Sequence, residues 1–311
     1  MLEHPSHVSD DDVHHQLWAH WLPDVERVTH LPVGLGAWHW QAGAGDQATL
    51  FVTLDRLGDR HTDRTLEGAY SASVALAARG LDFVLPNRRT LLGRCTVPLG
   101  EDRLSVTPWL EGTSGDGSFT EEQARATVDV LTRLHGEPAP PALPRWRPLV
   151  HPAFASRLET RTARSWEAGP LGEHARTALR ERLPRIREWT SAYLALSARS
   201  DDRGWVPTHG EPHTRNQVAT LTGTYLVDWE SARLAPRERD LAILVEQGWG
   251  HLVEADPDML TMFDLECRLD EISQYATWFE GAHVGSDSDE VALNALYHEL
   301  ERAPRDSACR A

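Results

Sequence analysis

A change of hydrophobic period across residues 111–118, EGTSGDGS, is the feature that most constrains this fold. Before that polar, glycine-rich boundary, residues 38–41 and 50–54 carry strand-type patterns, with Gly43, Gly45 and Asp46 supplying turn chemistry between them. In residues 63–79, Leu66, Tyr70, Val74 and Ala77 recur at helical spacing and Gly80 stops the helix. Two more extended runs, LDFVLP at 81–86 and RLSVTPWL at 103–110, read as strands. Beyond residue 118 the period becomes helical. Thr120 and Gln123 form a capping box after Phe119, and Ala124, Thr127, Val128, Leu131 and Leu134 continue one apolar face. Helical patterns return over 172–199, interrupted at Pro184, and over much of 240–300. A chain of 311 residues exceeds what one core supports, so an α+β protein of two lobes is expected.

The net charge of −16 argues against a nucleic-acid backbone as the main partner, since phosphate binding needs clustered cations. It suits a cationic small molecule, and equally a solvated acidic surface. All 31 basic residues are arginine, which removes every chemistry that depends on a lysine ammonium. Cys95, Cys267 and Cys309 are far apart and read as free thiols of a reducing cytosol. The amino terminus has neither a basic region nor an apolar run, and the chain has no stretch of 18 apolar residues, so neither export nor membrane insertion is expected. A cytoplasmic location is the expectation from these features. Sixteen histidines show no HExxH or finger spacing that would indicate zinc. Nothing in the sequence fixes an oligomeric state.

The chemistry concentrates in THGEPHTRN, residues 208–216. HGEP also occurs at 135–138, so those four letters alone carry no weight. The residues downstream of the second copy give it meaning. Residues 217–220 and 225–227 read as two short strands joined by LTGT, and such a hairpin returns Asp228 to the side of Asn216. An Asn–Asp pair offers the few oxygen ligands that magnesium takes together with substrate phosphates. Glu211, upstream on the same loop, is placed to accept or orient a hydroxyl proton, which completes a phosphoryl-transfer layout.

THGEPHTRN together with LVDWESARLAPRERDLAIL resembles the aminoglycoside phosphotransferase family, in particular its spectinomycin-phosphotransferase-like branch. Residues 206–243 match the family pattern in order and spacing, and VGLGAWHW, FVTLD and VTPWLEG resemble its glycine-rich loop, third strand and hinge. The resemblance implies a protein-kinase-like two-lobed fold. A five-stranded antiparallel sheet with one helix would occupy residues 1–110, and a larger, mainly helical lobe residues 111–311. It also implies ATP, with GTP left open, and Mg²⁺. Glu211 falls on the catalytic acid, Asn216 and Asp228 on the metal ligands, and Asp240 on the acid that braces the catalytic loop, with His209 as a second brace. Gly34 and Gly36 fall on the phosphate-covering loop, and Thr53, Thr107, Trp109 and Leu110 on the nucleotide-facing strands. His213, Arg215, Glu230, Asp270 and Glu271 are the acceptor-side candidates, and Trp109 is the aromatic expected against the base.

This sequence departs from the family at two positions. The base is Glu rather than Asp, one methylene longer. Thr53 stands where a lysine would meet the α- and β-phosphates, so only an arginine or backbone N–H groups can replace that charge. Without that lysine, Glu67 reads as a surface residue. Three functions are therefore open: phosphorylation of a small polar molecule such as an aminoglycoside or aminocyclitol antibiotic, a non-catalytic nucleotide-binding or docking role, and peptide Ser/Thr phosphorylation in natural-product maturation. The first leads, with antibiotic resistance as one setting.

Overall fold

The computed structural model describes residues 1–21, 24–34, 36–45, 47–58, 60–200 and 204–302. Asp46 and Cys309 lie outside them. Helix α1 (Asp10–His20) precedes β1 (Arg27–Leu31), β2 (Trp38–Ala44), β3 (Gln47–Asp55), α2 (Asp63–Ala78), β4 (Thr96–Leu99) and β5 (Asp102–Pro108). Next come β6 (Thr113–Ser114), α3 (Glu121–His135), α4 (Phe154–Thr162), α5 (Gly172–Ser197), β7 (Val206–Thr208), β8 (Gln217–Thr220) and β9 (Gly223–Leu226). The chain ends with β10 (Arg233–Ala235), α6 (Glu238–Glu246), α7 (Pro257–Glu280) and α8 (Asp287–Glu301). Contacts divide it into two compact units, residues 1–146 with 202–254, and 147–201 with 255–311. The last strand of the sheet in chain order, β5, ends at Pro108, within the first unit. Among the described residues, no helix is long and apolar enough to cross a membrane.

The first unit is built on an antiparallel sheet in the order β1-β2-β3-β5-β4. Trp38, Trp40 and Ala42 alternate on β2, and Leu50, Val52 and Leu54 on β3, so one face is apolar and buried. Val13 and Leu17 of α1 cover it, and Trp40 Nε1 donates to Asp10 Oδ1 at 2.7 Å. Helix α1 carries only these two buried residues in an otherwise polar stretch, which is why its periodicity is faint; its start is fixed by a Ser9–Asp12 capping box.

LDFVLP is not a strand of this sheet. Leu81, Phe83, Val84 and Leu85 are all buried, without the alternation of a half-exposed strand. The segment clasps β9 instead: Leu226 N donates to Phe83 O at 2.7 Å, and Leu85 N to Leu226 O at 3.1 Å. Strands β1 and β4 fill the sheet. Residues 111–118 are more than a boundary, because β6 pairs with β8 and Gly115 N donates to Thr214 O at 3.0 Å. Glu67 is likewise no bare surface residue. Its carboxylate accepts from Cys95 N at 2.9 Å and from Thr96 N and Oγ1 at 3.0 and 2.7 Å, which fixes the start of β4.

In the second unit α5 runs unbroken through Pro184. An internal proline costs about 3 kcal/mol, and here Leu179, Leu183, Ile186 and Trp189 are buried on either side of it, which offsets the loss. Packing of α5 along α7 thus overrides the local break.

Candidate active site

The loop after β7 is held by a buried acid. Asp240, at the start of α6, is fully buried; its Oδ1 accepts from Gly210 N at 2.6 Å, and its Oδ2 from His209 N at 3.0 Å and His135 Nε2 at 2.9 Å. Burial pushes its carboxyl up, but the His135 bond and the nearby histidines outweigh this and leave it below the ordinary value. His209 Nε2 donates to Val227 O at 2.8 Å, so its Nδ1 is the acceptor for Glu211 N at 3.3 Å. Burial holds this imidazole neutral, edge-on to Trp229 at 4.7 Å. His135 belongs to the first HGEP copy, whose four letters carry no weight in the sequence alone; the fold gives that copy a place beside the second.

Gly210 has φ +101°, and a Cβ there would lie 2.2 Å from Arg239 Nη1. A glycine therefore lets the Arg239 guanidinium lie against the loop backbone. One residue on, Glu211 Oε1 is ion-paired with Arg60 and accepts from Ser231 Oγ at 3.2 Å. Burial raises the Glu211 carboxyl, yet Arg60, His213 and Arg239 together bring it down to about 2.

Asn216 Nδ2 donates to Glu211 O at 3.0 Å, which leaves Oδ1 to face outward. Val227 N donates to Asn216 O at 3.0 Å, and Gln217 pairs with Leu226, so the hairpin sets Asp228 beside Asn216. Asp228 is the one non-glycine with positive φ among the described residues, at 66°. That conformation costs roughly 1–2 kcal/mol, and it occurs where the chain leaves β9 for the turn that carries Asp228 and Glu230.

Three carboxylates crowd this turn. Burial, then the neighbouring acids Asp55 and Glu211, push Asp228 up to about 6 against its contact with Glu230. Burial and Asp228 put Glu230 well above its ordinary value. Asp55 rises to about 8 by burial, despite the 2.7 Å bond from Tyr70 OH. Glu230 Oε2 is buried without a hydrogen-bond donor among the described residues. Such a group of acids favours a proton or a cation beside it, so the donor set fits a divalent metal, which Asn216 and Asp228 would hold. Among the described residues no three His, Cys, Asp or Glu side chains form a metal centre by themselves, so further oxygens would have to come from a nucleotide.

On the sheet face away from α1, His39 stands opposite Thr53 and Phe51 opposite Thr107. His39 Nδ1 lies 3.2 Å from Thr53 Oγ1; its ring is 5.0 Å from Phe51, and Phe51 is 6.2 Å from Trp109. These rings stand in a row on that face, a platform whose members are tilted by 33° and 37° to one another. Gly34, φ +71°, lies over His39, close enough that a Cβ would sit 3.4 Å from Nε2; Leu35, between Gly34 and Gly36, is outside the described residues. Leu110 lies two residues past the end of β5 at Pro108 and is half-buried.

The acceptor-side candidates separate. His213 lies by Glu211, with Nδ1 buried and without a partner among the described residues. Arg215 is exposed and turns away, donating to Asp116 O at 2.9 Å. Glu230 is in the buried carboxylate group. Asp270 and Glu271 stand on α7 of the second unit, accepting from Gln274 at 2.8 Å and Tyr275 at 3.0 Å, each one helical turn on. Sequence reasoning missed Asp55, Arg60, His61, Tyr70, Ser231, Arg233 and Arg239. Asp55 and Tyr70 lie two strand residues beyond Thr53 and three helix residues beyond Glu67, so each shares a face with that residue. Their hydrogen bond ties β3 to α2 without a lysine.

A family model described as the phosphotransferase enzyme family matches residues 28–265. The chain is 28% identical over 297 residues to Protein StrN of Streptomyces griseus, covering 90% of this chain and 87% of that one. Among solved structures it is similar to spectinomycin phosphotransferase APH(9)-Ia in complex with ADP and spectinomycin, with TM-score 0.71 and 17% identity over 93% of this chain and 94% of that one. It is also similar to a microcompartment-associated aminopropanol kinase, with TM-score 0.61 and 13% identity over 94% and 95%.

Proposed function

Since the chain belongs to the phosphotransferase enzyme family, we propose that it moves the γ-phosphoryl group of ATP to a hydroxyl of a small, polar, amine-bearing molecule, with an aminocyclitol or aminoglycoside antibiotic first among the candidates. The observation that carries this reading is the junction of Glu211 and Asn216 through the Asn216 Nδ2 to Glu211 O bond, with Asp228 returned beside Asn216 by the hairpin. Glu211 receives the hydroxyl proton as the acceptor oxygen bonds to phosphorus; the bond to the bridging oxygen breaks, and its electron pair leaves on ADP. Mg²⁺, when bound, supplies charge neutralisation at the phosphates. The His39–Phe51–Trp109 platform receives the base, and Gly34 and Gly36 cover the phosphates. GTP competes with ATP only through base-edge contacts. A cytoplasmic site of action fits ATP as donor.

The acceptor class rests on two supports. Relatives named for spectinomycin and aminopropanol both concern molecules in which a hydroxyl accompanies an amine. The net charge of −16 favours such cations. Purified protein assayed for ADP release with Mg²⁺ and ATP against a panel of amino-alcohols and aminocyclitols tests this. Turnover confined to amine-bearing alcohols is expected. Intact ATP binding without turnover on any acceptor favours the second reading, a non-catalytic nucleotide-binding protein, for which the threonine at position 53 is the supporting observation.

A further inference from the structure

We propose that Arg60 is a catalytic residue that contributes charge at the transferred group, a different place from the α- and β-phosphates a small-lobe lysine would meet: its guanidinium leaves Glu211 when substrates bind and donates to the transferred phosphoryl group. This role rests on the proposed phosphotransferase activity. Arg60 lies beyond β3, and its side chain is 38% exposed where it pairs with Glu211, itself 30% exposed. An ion pair this open adds little to stability. It does occupy the base, because Oε1 is held by the guanidinium and by Ser231 Oγ and only Oε2 is left to meet the acceptor hydroxyl. Opening the pair returns Oε1 to the acceptor hydroxyl, and the anion that then takes up the guanidinium is the incoming γ-phosphoryl group.

The surroundings drive the exchange in that direction. Arg233 and Arg239 act on the same corner: both lower the affinity of buried His61 for protons, as Arg60 does. Arg239 lies against Gly210, and its hydrogen bond to Thr208 Oγ1 at 3.2 Å involves no carboxylate. Nor can Thr53 supply the charge, since its neutral hydroxyl faces His39. In the transition state the acceptor oxygen bonds to phosphorus, its proton passes to Glu211, and the bridging bond breaks toward ADP. Arg60 donates N–H bonds to the non-bridging oxygens and is not consumed. A planar, always charged fork suits those oxygens.

The test compares wild type with Arg60→Ala and Arg60→Lys by calorimetry with Mg²⁺ plus ATP or ADP, and by turnover with an acceptor found in the amino-alcohol and aminocyclitol panel. Because Arg60 meets the terminal phosphoryl group, Arg60→Ala should lose about tenfold in ATP affinity while ADP affinity stays within about twofold. Its kcat should fall about 10²- to 10³-fold, with partial recovery in millimolar ethylguanidinium. Arg60→Lys should retain part of both. Equal loss of ATP and ADP affinity, or full kcat in a folded Arg60→Ala protein, overturns the inference and leaves the phosphotransferase reading standing. A wild type that binds neither nucleotide removes both.

Discussion

Asp240→Asn tests what the buried acid contributes to the loop after β7 most directly. The carboxylate receives three N–H donors and is fully buried. An asparagine can present its single oxygen to at most one side. In its better orientation it serves His209 N and His135 Nε2 and turns an NH₂ group toward Gly210 N, which is left without an acceptor. An orphaned buried donor costs about 1–3 kcal/mol, and two bonds that lose their charge forfeit about 0.5–1 kcal/mol each. The sum, roughly 2–5 kcal/mol, predicts a melting temperature lower by about 10 °C. His135→Ala removes one donor along with its bond, so its loss should be smaller, about 1–2 kcal/mol. Within the double variant the His135 change should cost less than it does alone, a coupling measurable by urea unfolding monitored through tryptophan fluorescence. Since Gly210 N precedes Glu211, turnover of Asp240→Asn should also fall at least about 10²-fold, as expected for a base displaced by about 1 Å. An Asp240→Asn protein within about 0.5 kcal/mol of wild type, with additive His135 effects, would refute this account.

Asp228→Asn should abolish turnover and Mg²⁺-dependent ATP binding, yet raise the melting temperature of the ligand-free protein by a few degrees, because it removes one of three crowded carboxylates and asparagine tolerates positive φ. Asp55 is protonated in the fold up to about pH 8 but ionises near pH 4 when unfolded, so the folded state binds the extra proton and stability falls as pH rises between those values. Asp55→Asn should flatten that decline in unfolding midpoints measured across pH 5 to 8; parallel curves would count against it. Trp109→Ala should weaken ATP binding about tenfold by calorimetry through loss of one stacking face.

The parts of the site legible in the sequence are those fixed by spacing along one loop. Asn216 lies five residues after Glu211 and returns to it through its own Nδ2, and a short hairpin carries Asp228 to the same place. Capping boxes are readable for the same reason: Thr120 and Gln123 bind each other across one turn. Arg60 and Arg239 are distant from Glu211 in sequence or masked by common local patterns, and only the folded chain shows where an arginine points. LDFVLP misleads because a contiguous apolar run is equally consistent with a strand and with a fully buried clasp. Pro184 misleads because tertiary packing of α5 outweighs a local penalty.

The clasp of residues 81–86 on β9 has a dynamic consequence. Leu226 is hydrogen-bonded on both sides, to Phe83 and Leu85, and two residues later the chain reaches Asp228. In hydrogen-exchange terms, the end of α2, the segment after it and the hairpin should open together as a single foldon rather than fray separately. Ordering the turn at Asp228 would then slow amide exchange as far back as Phe83 and Leu85, so the backbone itself would report events at the candidate phosphate site.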